Sequence, residues 1–173
     1  MAWISPTTRS TGDAITAAIW NQDIKTNTDA AFPLAPDIAW TAWTPTLANL
    51  TLGNGSRTSV YTRVGRWIYF DLAIVFGSTS SMGTAPTFTL PVTASSRYNP
   101  AAVTQALGTC VLLDSGTANY LGPVYVSSTT VGTFACTGVG ATYATLNAIT
   151  ATVPFTWTTG DALSVIGTYE SAA

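Results

Sequence analysis

The chain has 173 residues, of which 47% are hydrophobic and only 8% charged, with a net charge of −2 and no histidine. That is enough apolar material for a real core, so wholesale disorder is excluded, and an acidic balance disfavours a basic nucleic-acid-binding face. The charged share is about a third of the ~25% usual in a soluble domain, so either much surface is buried between subunits or a Ser/Thr-rich surface replaces the missing charge.

Residues 1–32 read as an arm and an anchoring helix. Met1 to Pro6 lack the basic and apolar regions of a secretory signal, so the chain is expected to stay in the cytosol until assembly. Turn residues follow at Ser5-Pro6 and Thr11-Gly12-Asp13. Thr16 then suits an N-cap, with Ile15 before it and Trp20 at the fourth helical position, the spacing of a hydrophobic staple. Trp20, Ile24, Asn27 and Ala31 recur on one narrow stripe, and the helix should end before Pro33. A one-stripe helix of about four turns is not stable alone in water, so it must dock on something. Ile15, Trp20 and Ile24 are therefore candidate attachment residues.

Residues 33–45 read as a linker punctuated by Pro33, Pro36 and Pro45. Trp40 and Trp43 within it are either attachment anchors or a cover for one end of the following domain. From residue 46 the hydrophobic period changes to two, and 46–173 are expected to form an antiparallel β-sandwich, jelly-roll-like, of mainly β class. Strands are predicted at 47–52, 57–64, 67–76, 86–92, 102–113, 119–127, 130–136, 146–156 and 162–169. Gly53-Asn54-Gly55 and Gly65-Arg66 are predicted tight turns, and Gly77 to Ala85 a loop. On the strand from Trp67 to Phe76, Ile68, Phe70, Leu72, Ile74 and Phe76 share one face and must be core. The opposite face, Trp67, Tyr69, Asp71, Ala73 and Val75, is too apolar for free solvation. It faces a second layer or a neighbouring subunit, which makes Trp67, Tyr69 and Val75 candidate interface residues.

The residue inventory removes much chemistry. Without histidine there are no Ser–His triads, Cys–His dyads or histidine metal ligands. Cys110 and Cys136 are expected to be reduced, buried thiols, with a disulfide across neighbouring strands as the alternative. Asp71 with Asp114 or Asp161 is the nearest approach to a glycosidase-like pair, but Asp114-Ser115-Gly116 and Gly160-Asp161 are turn chemistry. Gly138-Val139-Gly140 and Gly53-Asn54-Gly55-Ser56 lack what a nucleotide-binding loop needs. No cofactor, metal, nucleic acid or membrane span is implied. Arg57, Arg63, Arg66 and Arg97 precede Asp114, Asp161 and Glu170, a separation that offers complementary faces to neighbours or arises by chance. Trp67, Tyr69, Trp157 and Tyr169 are the aromatics to weigh for stacking on sugars.

The stretch Thr11-Gly12-Asp13-Ala14-Ile15-Thr16-Ala17-Ala18-Ile19-Trp20-Asn21-Gln22-Asp23-Ile24-Lys25-Thr26-Asn27 resembles the start of small virion proteins of tailed phages, especially actinobacterial ones. Trp43-Thr44-Pro45-Thr46-Leu47, Asn49 to Gly55, Tyr61 to Arg66, and the ending Pro154-Phe155-Thr156-Trp157 with Gly160-Asp161 and Tyr169-Glu170 are similar to their β-rich part. The resemblance implies a non-enzymatic virion surface protein, trimeric, joined to major capsid or tail proteins and assembled in the host cytoplasm. Its type would be capsid decoration or head fibre. The alternative is a minor tail or receptor-binding protein whose sandwich binds a host surface glycan through residues such as Trp157 and Tyr169.

Overall fold

The computed structural model describes residues 5, 8, 10–28, 39–98, 105–139 and 143–172. The chain divides into two units, Met1–Ala39 and Trp40–Ala173. In the first, helix α1 (Ala17–Trp20) starts where the sequence predicts. Thr16 is extended, and its Oγ1 accepts the Ile19 N–H at 3.4 Å. The chain stays helical through Thr28, but not as one regular α-helix, and the rest of the predicted helix lies outside the described residues. From Asn21 to Thr26 the backbone winds as a π-helix. Its residues are largely polar ones whose side chains compete for backbone groups: Thr26 Oγ1 donates to the Asn21 carbonyl at 2.7 Å and Asn27 Nδ2 to that of Asp23 at 3.4 Å. Ala31 of the predicted stripe, and Pro33 and Pro36 of the linker, lie outside the described residues.

The second unit is built from antiparallel strands. In chain order they are β1 (Thr41–Ala42), β2 (Leu47–Thr51), β3 (Ser56–Val64), β4 (Trp67–Val75), β5 (Ser81–Thr89), β6 (Ala106–Asp114), β7 (Ala118–Ser128), β8 (Val131–Val139), β9 (Ala144–Ala148) and β10 (Ala162–Glu170). The spatial order is β1-β3-β4-β10-β6-β7-β8-β5-β2, with β9 added to β8. The mainly β, antiparallel class is as the sequence predicts. The pairing, however, runs through one continuous curled sheet and does not split the strands into the two sheets of a sandwich.

The curl is completed by a single stretch of chain. β1 and β2 lie at opposite ends of the strand order, yet only four residues separate them in sequence. The Trp43 N–H donates to the Ser59 carbonyl on β3 at 3.1 Å, while the Thr46 carbonyl accepts the Thr89 N–H at the end of β5 at 3.0 Å. Backbone groups that would be unpaired at both sheet ends thus find partners on the same segment. This is why residues 40–45, read from sequence as linker, belong to the β unit. Ser59 Oγ also donates to the Trp43 carbonyl, and Arg57 Nη1 donates to that of Pro45 at 3.0 Å.

The core fills the inner side of the curl. Ile68, Phe70, Leu72 and Ile74 from β4 are fully buried, with Leu163, Val165 and Tyr169 from β10, Cys110 and Leu112 from β6, and Phe88 and Phe134 from β5 and β8. Phe70 is the hub: its ring centroid lies 6.0 Å from Trp43, 5.9 Å from Phe88 and 5.9 Å from Tyr169. It packs over Gly167, its cross-strand partner, where a Cβ would sit 2.4 Å from the ring. Gly122 on β7 lets the sheet approach itself even more closely, since a Cβ there would fall 1.7 Å from the Ala135 carbonyl oxygen.

Two predicted boundaries differ. β5 begins at Ser81, inside the segment read as a loop, because its pairing with β2 (Leu50 opposite Met82, Leu47 opposite Phe88) supplies the order that composition does not advertise. The strand expected at 146–156 ends at Ala148, and an isolated bridge between Thr150 and Val153 turns the chain. Both predicted turns are present. The Gly53-Asn54-Gly55 turn is clasped to the β4–β5 connection, with Asn54 Oδ1 accepting the Thr79 N–H at 2.9 Å.

Candidate functional site: an apolar outer face

Strand alternation that sends Ile68, Phe70, Leu72 and Ile74 inward sends Trp67, Tyr69, Asp71, Ala73 and Val75 outward. Among the described residues of the β unit no second layer covers them: Trp67 and Tyr69 are each 45% exposed and Val75 43%. Of the two readings open from sequence, a second layer or a neighbouring subunit, the described residues of the β unit supply no such layer.

The register extends the apolar character across neighbouring strands. Asp71 pairs with Ile166 on β10, which pairs with Thr109 on β6, which pairs with Pro123 on β7. One row along, Ala73, Ser164, Val111 and Leu121 stand side by side. Ile166 is 65% exposed and Leu121 64%. Sequence reading missed both, and Val111 with them. Each is a lone apolar residue on the outward phase of a strand whose inward residues are also apolar. The signal available was the unbroken apolar run Cys110-Val111-Leu112-Leu113, which marks a strand covered on both sides.

Apart from Asp71, the nearby ions lie off this face. Glu170 holds Arg66 at 3.0 Å and Arg97 at 2.7 Å. Arg63 Nε donates to the Gly65 carbonyl at 2.7 Å. Arg57, Arg63, Arg66 and Arg97 of the middle segment thus each have a partner within the chain.

The other sequence candidates separate cleanly. Ile15, Trp20 and Ile24 are exposed and line one shallow groove with Ile19 and Asp23. Trp40 is exposed as well. Trp43 fits the covering alternative: it is half-buried, stands edge-on to Phe70, and its Nε1 donates to the Thr89 carbonyl at 3.3 Å. Tyr169 is not a glycan contact, because it is fully buried and its hydroxyl donates to the Val92 carbonyl at 2.7 Å while accepting the Val92 N–H at 3.1 Å. Trp157 is half-buried, stacked 4.9 Å from Phe76 and tilted against Phe155 at 4.5 Å, with Nε1 donating to the Thr150 carbonyl at 3.1 Å. Its faces are largely occupied by its own neighbours.

The acidic and sulfur groups are also accounted for structurally. Asp161 is buried, and its carboxylate accepts the Ser115 N–H at 3.0 Å and the Thr158 hydroxyl at 3.3 Å. Asp161 therefore ties the β6–β7 turn to the approach to β10. Cys110 and Cys136 are buried free thiols on β6 and β8, which flank β7 rather than each other, and the disulfide alternative is corrected. The Cys110 thiol reaches across Gly122 to donate to the Ala135 carbonyl at 3.4 Å. Burial first, and then the neighbouring Cys136, pushes the Cys110 thiol up to about 12. Among the described residues, no group of three or more His, Cys, Asp or Glu side chains gathers as a metal site, and no helix is long and apolar enough to cross a membrane. Comparison of the chain with protein-family models, curated proteins and solved structures finds no match to any of them.

Proposed function

We propose that the chain is a non-enzymatic structural protein on the surface of a tailed-phage particle, of capsid-decoration or head-fibre type, and that it works as an oligomer, most simply a trimer. The residues of the N-terminal segment that resemble phage virion proteins support the class. The observation that carries the reading is the outer side of the sheet, where apolar residues stand in register across β4, β10, β6 and β7 with little charge to keep them wet. Surface of this kind is stable in water when neighbouring chains cover it. In this reading the exposed side chains Ile15, Trp20 and Ile24 attach the protein to capsid or tail proteins, and the β unit is displayed. The glycan-binding alternative loses two of its aromatics, since Tyr169 is enclosed and Trp157 is stacked.

The test is mass spectrometry of gradient-purified particles of the phage that encodes this chain, with antibody labelling under the electron microscope. The reading expects the chain at fixed stoichiometry to the major capsid protein and label on the particle surface. Recovery of the chain only from the soluble lysate would refute it.

A further inference from the structure

The β7 strand pairs with β8 only from Val124 to Ser128, and beyond that β8 leaves the sheet as a ribbon with β9. The divergence opens a groove floored by Gly122 and Pro123, with Thr109 and Leu121 on the sheet side and Thr137 and Leu146 on the ribbon side. Leu146 is 60% exposed. All five residues of β9 are exposed, and none is charged or proline. Among the described residues no strand pairs with the outer edge of β9. Natural proteins usually guard such an edge with charge, proline or a bulge, because its free N–H and C=O groups recruit another strand.

This edge is continuous with the apolar outer face. Ile166, Leu121, Leu146, Val111 and Val75, with Trp67 and Tyr69 along β4, leave on the order of 700 Å² exposed. As whole-residue area, backbone and polar atoms included, that is of the order of the ~800 Å² each partner gives to a standard interface. Across the rows centred on Ile166 and Val111, the one charged side chain is the half-buried Asp71. A charged partner would lose hydration here with almost nothing to pair against, whereas a second copy brings a surface equally poor in charge.

We infer that this is the self-association surface. A second copy of the chain seats on the outer side of β10, β6 and β7, and the free edge of β9 supplies backbone hydrogen bonds across the junction. The inference rests on the oligomeric part of the proposed function and centres the interface on residues 109–123, 146 and 166.

The test uses the full chain at micromolar concentration, with multi-angle light scattering and sedimentation velocity. The wild type is expected to be oligomeric. The Ile166→Glu, Leu121→Glu double variant is expected to be monomeric, at least tenfold weaker in association, with an unchanged far-UV circular dichroism spectrum. Thr152→Glu and Ile24→Asp are expected to remain oligomeric. If the double variant does not fold, Leu146→Cys with a short bismaleimide replaces it, and crosslinks between copies are expected at this site alone, because Cys110 and Cys136 are buried. A monomeric wild type, an intact oligomer in the double variant, absence of the crosslink, or dissociation by Ile24→Asp overturns the inference. Particle incorporation is scored separately, so the virion reading can stand when this one fails.

Discussion

Gly122→Ala is the sharpest probe of how closely the curled sheet packs on itself. The added Cβ would lie 1.7 Å from the Ala135 carbonyl oxygen, 2.7 Å from its carbon and 2.9 Å from the Cys136 Cα. All three are backbone atoms, so no side-chain rotation relieves the clash, and β7 and β8 must move apart where they already begin to diverge. Overpacking of a core usually costs about 1–3 kcal/mol. A backbone clash beside the buried Cys110 thiol belongs at the upper end, about 3 kcal/mol. In a domain of this size that corresponds to a melting temperature lower by roughly 10 °C. Differential scanning calorimetry of both proteins at one matched concentration measures it, since dissociation would otherwise shift the midpoint. A change below about 2 °C would refute the close approach and the register behind it.

Asp161→Ala strips the partners from the Ser115 N–H and the Thr158 hydroxyl, and should cost about 2–3 kcal/mol in urea unfolding, with Asp161→Asn costing less. Neither Cys110 nor Cys136 should react with a thiol-specific reagent in the native protein at pH ~8, while both should react in denaturant. Alkali should destabilise the fold. The unfolded Cys110 thiol gives up its proton near ~8.5, but the folded one holds it to about 12. Between those values the native state binds more protons, so stability falls with rising pH by up to about 1.4 kcal/mol per unit for this group. Tyr169, also raised by burial, adds to the loss from about pH 10 upward; urea midpoints at pH ~8 and ~10.5 measure both together. Removal of residues 1–32 should leave the melting temperature of the β unit unchanged and abolish particle incorporation, read by immunoblot of purified particles.

Much of the fold was legible wherever side-chain periodicity alone decides it. The alternation from Ile68 to Phe76 fixed both faces of β4, and Gly65-Arg66 marked its turn. The Thr16 cap was legible because capping is local. The closure of the sheet was not, because Thr41 and Ala42 become strand only through β3, and the strand read at 47–52 names no partner until it meets β5. The first half of β5 was hidden for the same reason, since Ser81 to Ala85 offer only Met82 as a large apolar residue. On the candidate site, Trp67, Tyr69 and Val75 could be read from a period of two. Ile166, Leu121 and Leu146 could not, because a single exposed apolar residue on a strand is ordinary and only the cross-strand register gathers them. Tyr169 was offered as a glycan contact because its burial depends on a distant loop: its hydroxyl is met by Val92, 77 positions away.

The account stands on a neighbouring chain covering the outer side of the sheet, and a cryo-electron-microscopy reconstruction of the intact particle tests that directly. It predicts density for this chain on the particle surface, with Ile166 and Leu121 pressed against another copy. A particle that lacks the chain, or carries it as isolated subunits whose outer strands face solvent, would contradict the account.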